Sequence, residues 1–343
     1  TGRMNGSEPV ASSRRSYSAL LPSSAVTTRL RRSIATTLRP SSSTVRCPGY
    51  LESGGRRFHC WKHGGHGSVD LKRSLAESCD VFYYDVGQRV GIDKIAEMGR
   101  KLGLGVRHDL PMSAITEANM PDKAWKEARY GQEWRIGDTI NATIGQGYVL
   151  ASPLQLAVMT SRIASGTLVV PRIIRSINDE EVAIAPPEPL GLQASKLRAV
   201  QMGMFEVING GRGTGRGARI VDPAMLMCGK SGTAQVRNIS TAERDSGVVS
   251  NDRLPWKQRD HALFVAFAPA DAPRYAVAVV VEHGGGGSVV AGPMARDALL
   301  RTMAGASPPL SAYPADQRGR IDTMLKNLPL RLPDGSEPAP VKA

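Results

Sequence analysis

The chain has 343 residues, enough for one large domain or two ordinary ones, with a core that needs no disulfide staples. Hydrophobic residues make up 41% and charged residues 22%, which excludes wholesale disorder, and no apolar run approaches the ~18–20 residues of a membrane span. The net charge is +13, but aromatics are only 5% and no basic stripe is interleaved with Phe or Tyr, so nucleic acid is excluded as the expected partner.

Residues 1–44 hold seven Arg, eleven Ser and a single acid, Glu8, with no apolar period. They read as disordered, or as the product of a shifted reading frame, and Thr1-Gly-Arg-Met4 opens no charged-then-apolar export signal. At Val45 the character changes, and from there to residue 303 the pattern is globular. Ser68 can cap a short helix carrying Leu71 and Leu75 that breaks near Ser78. Helices are expected over Val81–Val90, stopped by Gly91, and Asp93–Leu102, stopped by Gly103. Ser152-Pro153-Leu154-Gln155 combines an N-cap, a first-turn proline and a capping-box glutamine ahead of another helix. A fifth helix runs from Ser195 to Ile208, with Leu197, Val200, Met204 and Val207 on one face.

Beyond the helices lies Gly210-Gly-Arg-Gly-Thr-Gly-Arg-Gly217. It fails the spacing of the P-loop and of the dinucleotide fingerprint, and it follows a helix where a strand is needed, so it reads as a connector. The period then switches to two. Met225–Val236 is expected as a central strand, and Ala262–Phe267 and Tyr275–Val281 as a hairpin joined through Pro269-Ala-Asp-Ala-Pro273. A helix over Gly292–Met303 follows, then a flexible tail over 304–343, rich in Pro and Asp. Helices, then antiparallel strands, then a closing helix indicate an α+β fold, an antiparallel sheet sandwiched by helices.

Lys230-Ser231-Gly232-Thr233 stands out within the expected central strand. A lysine there is hard to explain by packing, because a buried ammonium is costly without an anionic partner. The glycine lets a ligand approach the backbone, and two hydroxyls beside an ammonium suit a carboxylate. Ser78-Cys79-Asp80, at a break between two helices, is weak alone; the bland reading is helix capping. The order and context of the two strings matter more than either.

That arrangement matches two of the three motifs of the penicillin-interacting serine enzymes, Ser-x-x-Lys, Ser-x-Asn and Lys-[Ser/Thr]-Gly. Cys47-Pro-Gly-Tyr50, Gly54-Gly-Arg-Arg-Phe58, His63-Gly-Gly-His-Gly67, Ser74-Leu-Ala-Glu-Ser-Cys-Asp-Val-Phe-Tyr-Tyr84, Ile144-Gly-Gln-Gly-Tyr148 and Ser152-Pro-Leu-Gln155 extend the likeness. Over residues 45–303 the sequence resembles the penicillin-binding protein 2 family, the elongation-type class B peptidoglycan D,D-transpeptidases. The aspartate at position 80, where most of the superfamily has asparagine, is that subgroup's habit. The resemblance implies the penicillin-binding/serine β-lactamase-like fold and acyl transfer from D-Ala-D-Ala stem peptides, with no cofactor for catalysis. It implies that Ser78 relays a proton to the leaving amine, with Asp80 orienting it, and that Lys230 supplies positive potential. Ser231, Gly232 and Thr233 would bind substrate, the two hydroxyls holding its terminal carboxylate and the Thr233 N–H giving half of an oxyanion hole.

By the same resemblance the partners are stem peptides, β-lactams, the elongation glycosyltransferase and other membrane proteins of the elongation complex, at the periplasmic face of the inner membrane. The departure is the nucleophile. No lysine in the sequence has a serine three positions before it, and where the family carries that motif stands Pro22-Ser-Ser-Ala-Val-Thr-Thr28. An unactivated serine is a poor nucleophile, so the chain is expected to be inactive as given, a transpeptidase domain without its anchor and nucleophile segment. The alternatives are a non-enzymatic sensor of stem peptides or β-lactams, and a serine β-lactamase or D,D-carboxypeptidase relative.

Cys47, Cys60 and Cys79 fall within 33 residues of one another, with His66 between them, while Cys228 reads as a buried strand residue. Three thiolates and an imidazole are the inventory of a closed structural zinc site, though the spacing lacks a tight Cys-x-x-Cys knuckle. A disulfide plus a free thiol, or unrelated thiols, are the other readings. Some relatives in the family carry a structural zinc beside this serine, which the resemblance extends to Cys47, Cys60, His66 and Cys79.

Overall fold

Strand β1 (Val45–Cys47) pairs antiparallel with β4 (Gly67–Val69), Cys47 opposite Gly67, and between them β2 (Tyr50–Ser53) and β3 (Arg56–His59) form a hairpin. The computed structural model describes residues 44–305 and 307–327. The segment read as disordered or frame-shifted lies outside the described residues up to 43. Where Ser68 was expected to cap the first helix, residues 67–69 are strand and the cap is Asp70, whose carboxylate accepts from the Arg73 N–H at 2.7 Å. Helix α1 is therefore Leu71–Ala76.

Next come α2 (Asp80–Val90), α3 (Ile92–Leu102), α4 (Lys123–Tyr130), α5 (Ile136–Thr143) and α6 (Pro153–Ser165). Gly103 closes α3 in the left-handed conformation, and Ser152 and Gln155 form the expected capping box on α6. The sequence reading missed α4 and α5, although Asp122 caps α4 and Gly131 ends it. Each is only eight residues long, too short for a helical period to stand out. A small hairpin of β5 (Ser176–Ile177) and β6 (Glu180–Glu181) precedes α7 (Ala194–Asn209).

Strands β7 (Cys228–Ala234), β8 (His261–Ala268) and β9 (Tyr275–Val281) form an antiparallel sheet in that order, with the short α8 (Thr241–Ser246) in the β7–β8 connection. Lys230 lies opposite Val265, and Val265 opposite Ala278. Among the described residues β7 is an edge strand, which corrects the expectation of a central one. Its ladder partners lie on one side, leaving the other edge available to a ligand.

Helix α9 (Ala291–Ala304) packs on the sheet, and Phe264, Ala266, Leu299, Leu300, Ile208 and Ile220 form the core there, all 2% exposed or less. Each fully buried large apolar side chain contributes roughly 1.5–3 kcal/mol. The tail expected to be flexible from residue 304 is structured over 307–327 among the described residues, with α10 spanning Arg318–Asn327. The reason is a buried arginine in α9. Arg296 donates to Gln317 Oε1 at 2.6 Å, pairs with Asp297 and lies 4.8 Å from the Tyr313 ring centroid. Tyr313 and Ile321 thereby join the core. No described helix is long and apolar enough to cross a membrane.

Candidate functional site

The turn between α1 and α2 presents Ser78 in the left-handed region, φ 53°. That conformation costs a non-glycine residue ~1–2 kcal/mol and persists only where its surroundings enforce it. Here the Cys79 N–H donates to the Ser74 carbonyl at 3.0 Å, and the Trp61 indole Nε1–H donates to the Glu77 carbonyl at 3.0 Å. The Trp61 backbone N–H donates to Asp80 Oδ2 at 2.9 Å, so both ends of the turn are pinned from the β3–β4 connection.

Facing this turn is β7. Lys230 Nζ donates to Ser78 Oγ at 2.6 Å and to the Ser231 carbonyl at 2.9 Å, joining residues 152 positions apart. Burial lowers the Lys230 ammonium to about 8, opposed by the nearby Asp80 carboxylate. Burial also raises Asp80 to about 7, aided by the charge of Cys60 and opposed by the Trp61 N–H and by Lys230. An ammonium that releases its proton easily, in contact with a hydroxyl, can pass a proton to or from a reacting group. Thr233, at the far end of β7, is exposed, while Ser231 and Gly232 are half-buried beside Lys230.

Two further residues reach the site from segments not singled out as functional. The Gln146 side-chain amide donates to the Thr233 carbonyl at 2.8 Å, clamping the strand from the Gly145–Tyr148 loop. Thr214 Oγ1 lies 3.2 Å from Ser78 Oγ and 3.5 Å from Ser231 Oγ. The glycine-rich segment, read as a connector, also brings the Thr214 hydroxyl beside Ser78. Its Gly-Thr-Gly signal was visible in the sequence, but nothing local tied it to β7.

Beneath the Ser78 turn, Cys47, Cys60, His66 and Cys79 converge, all buried, with their ligand atoms within 4.8 Å of one another. All four cysteines are free, so no disulfide competes for the cluster, and Cys228 is buried apart in β7 as expected. His66 Nδ1 lies 3.6 Å from Cys47 Sγ and 3.4 Å from Cys60 Sγ. The Cys60 thiol is lowered, first by a hydrogen bond from Cys79 and further by backbone N–H groups of Lys62, Asp80 and Val81. The remaining buried nitrogen, His66 Nε2, has no partner. Three soft sulfurs, one of them disposed to ionise, and an imidazole beside them are a donor set that could hold a metal ion.

Residues 35–300 match the penicillin binding protein transpeptidase domain. The chain is 36% identical over 269 residues to the peptidoglycan D,D-transpeptidase MrdA of Haemophilus influenzae, covering 75% of this chain and 40% of that protein. The structure resembles penicillin-binding protein 2 from Helicobacter pylori in its complex with MreC, with a TM-score of 0.65, 32% identity, 82% of this chain and 49% of that one covered. It resembles equally the Pseudomonas aeruginosa penicillin-binding protein 2 in complex with WCK 5153, with a TM-score of 0.65, 33% identity, and coverage of 85% and 62%. The chain spans about 40% of the length of the curated relatives it matches.

Proposed function

Since this chain belongs to the penicillin binding protein transpeptidase family, we propose that it carries the substrate clamp and proton relay of a cell-wall-elongation D,D-transpeptidase. The observation that carries this reading is the 2.6 Å contact of Lys230 Nζ with Ser78 Oγ. The stem peptide's terminal carboxylate binds Ser231 and Thr233 over Gly232, drawn by the positive potential of Lys230, and the Thr233 N–H faces the carbonyl under attack. Ser78 hands a proton to the departing D-Ala amine and is resupplied from Lys230. Asp80 orients the substrate amide. No cofactor takes part in catalysis.

A structural zinc held by Cys47, Cys60, His66 and Cys79 pins the turn that presents Ser78 and Asp80. It would supply a rigid closed centre and no chemistry in the cleft. The free, convergent thiols and the His66 Nδ1 that faces two of them support this. The chain works at the periplasmic face of the inner membrane, with the catalytic domain running from the start of the family match at residue 35 through residue 303. Its partners there are the elongation glycosyltransferase and associated membrane proteins, as the MreC-bound Helicobacter pylori relative supports.

The covalent step needs a serine activated by a lysine one helical turn away, and no such pair stands in this sequence. The 343-residue chain therefore binds β-lactams without acylation, which is also how a non-enzymatic sensor would behave. Loss of a nucleophile or its base typically costs ~10⁴–10⁶ in rate. Labelling with a fluorescent penicillin tests this: the chain stays unlabelled, and a Ser-x-x-Lys segment supplied upstream of Cys47 restores labelling. Labelling of the present chain at Ser23, Ser24 or another serine overturns the inactivity. Failure of the restored chain to label overturns the transpeptidase reading.

A further inference from the structure

The segment Gly210–Gly217 is drawn tightly against the end of α7. A side chain at Gly213 would place its Cβ 2.1 Å from the Val207 carbonyl oxygen, and one at Gly215 would meet Ile208 Cδ1 at 2.8 Å. The Gly215 N–H donates to that Val207 carbonyl at 2.9 Å, and the Thr214 N–H donates to the Ala76 carbonyl at 3.0 Å. Glycines at 213 and 215 are therefore what allows the chain to pass here. Between them the residue with a side chain is a threonine whose hydroxyl lies between those of Ser78 and Ser231. A connector needs no hydroxyl at that point.

The polarity of this hydroxyl row is set once an anion sits at Ser231. An ammonium only donates, so Ser78 Oγ accepts from Lys230, and each hydroxyl has a single proton to give. With an anion taking the Ser231 proton, Thr214 can only donate to Ser231, and its contact with Ser78 is then made with the Ser78 proton until the departing amine draws that proton away. We infer that Thr214 is a positioning residue for the acyl-donor carboxylate: its hydroxyl accepts from Ser78 and donates to Ser231, turning the Ser231 proton toward the ligand. This rests on the transpeptidase reading, since it requires a carboxylate at Ser231. The 3.5 Å contact to Ser231 is the long link in the row and shortens as the bound anion polarises it.

The test is the affinity of the full chain for a diacetyl-lysyl-D-alanyl-D-alanine peptide and for its C-terminal amide, followed by NMR titration. Thr214→Val keeps the shape and the backbone hydrogen bond to Ala76 but removes the hydroxyl. It should weaken the free acid by up to about tenfold, the effect of losing the neutral hydrogen bond that orients Ser231. The amide should change less than twofold, and Thr214→Ser should restore acid binding. If Thr214→Val does not fold, Thr214→Ala makes the same comparison without a branched side chain. Equal losses for acid and amide, or no rescue by serine, would show a packing role and overturn the inference alone. Binding of neither ligand by the unaltered chain overturns the transpeptidase reading, and this inference with it.

Discussion

Replacing Lys230 with methionine should make the protein more stable while depriving the cleft of its cation. The lysine is lowered from 10.5 to about 8 by burial, so the folded state holds the ammonium less well than the unfolded chain does. At about 1.4 kcal/mol per pH unit, this amounts to about 3 kcal/mol of stability lost below pH 8. Methionine escapes that cost, but Ser78 Oγ, which keeps Thr214, and the Ser231 carbonyl lose their donor, at about 1 kcal/mol each. The expected net gain is about 1–2 kcal/mol at pH 7.

The pH dependence is a second, sharper expectation. Below about 8 the lysine is charged in both states and its penalty is complete. Between about 8 and 10.5 the folded protein releases the proton first and the penalty fades; above 10.5 the amine is neutral in both states and only its donated hydrogen bonds remain. Lys230→Met should therefore be the more stable protein at neutral pH and lose that lead as pH rises toward 10. Urea unfolding followed by circular dichroism, from pH 6 to pH 10, reads both effects. A variant less stable at pH 7, or a stability difference that does not move with pH, would refute the reasoning.

Metal analysis of protein purified without added metal should give about one zinc per chain. Cys79→Ala should abolish it and lower stability by several kcal/mol, because the remaining thiolates lose their common charge partner; full metal retention by that variant would contradict the proposed ligand set. Gly287→Ala should destabilise the protein by ~2–3 kcal/mol and distort β7, since its Cβ would lie 2.2 Å from the Gly232 carbonyl and 2.3 Å from that of Leu263. A calorimetric melting temperature unchanged by that substitution would show that the loop after His283 does not press on the site.

The elements legible in the sequence were those with an unbroken period and a punctuating residue. Helix α6 shows its capping box, α3 its closing glycine, and β8 and β9 their apolar runs about a proline-rich turn. Such signals are local, because caps and turns are satisfied by residues three or four positions away. The Cys and His set was legible as an inventory, and Lys230 as an anomaly in a strand.

What the sequence could not supply was placement across long separations. Nothing near Gly210–Gly217 says that Thr214 lies beside Ser78, or that Gln146 reaches the Thr233 carbonyl, 87 positions away. The C-terminal segment reads as loose because its anchor, Arg296, belongs to another helix and is stable in the core only through Gln317, Asp297 and Tyr313. The edge position of β7 is likewise decided by pairing partners and not by its own residues. Residue types and local order determined which chemistry this chain can hold. Close packing of distant segments decided which of those groups meet, because hydrogen bonds and burial act over a few ångströms whatever the distance along the chain.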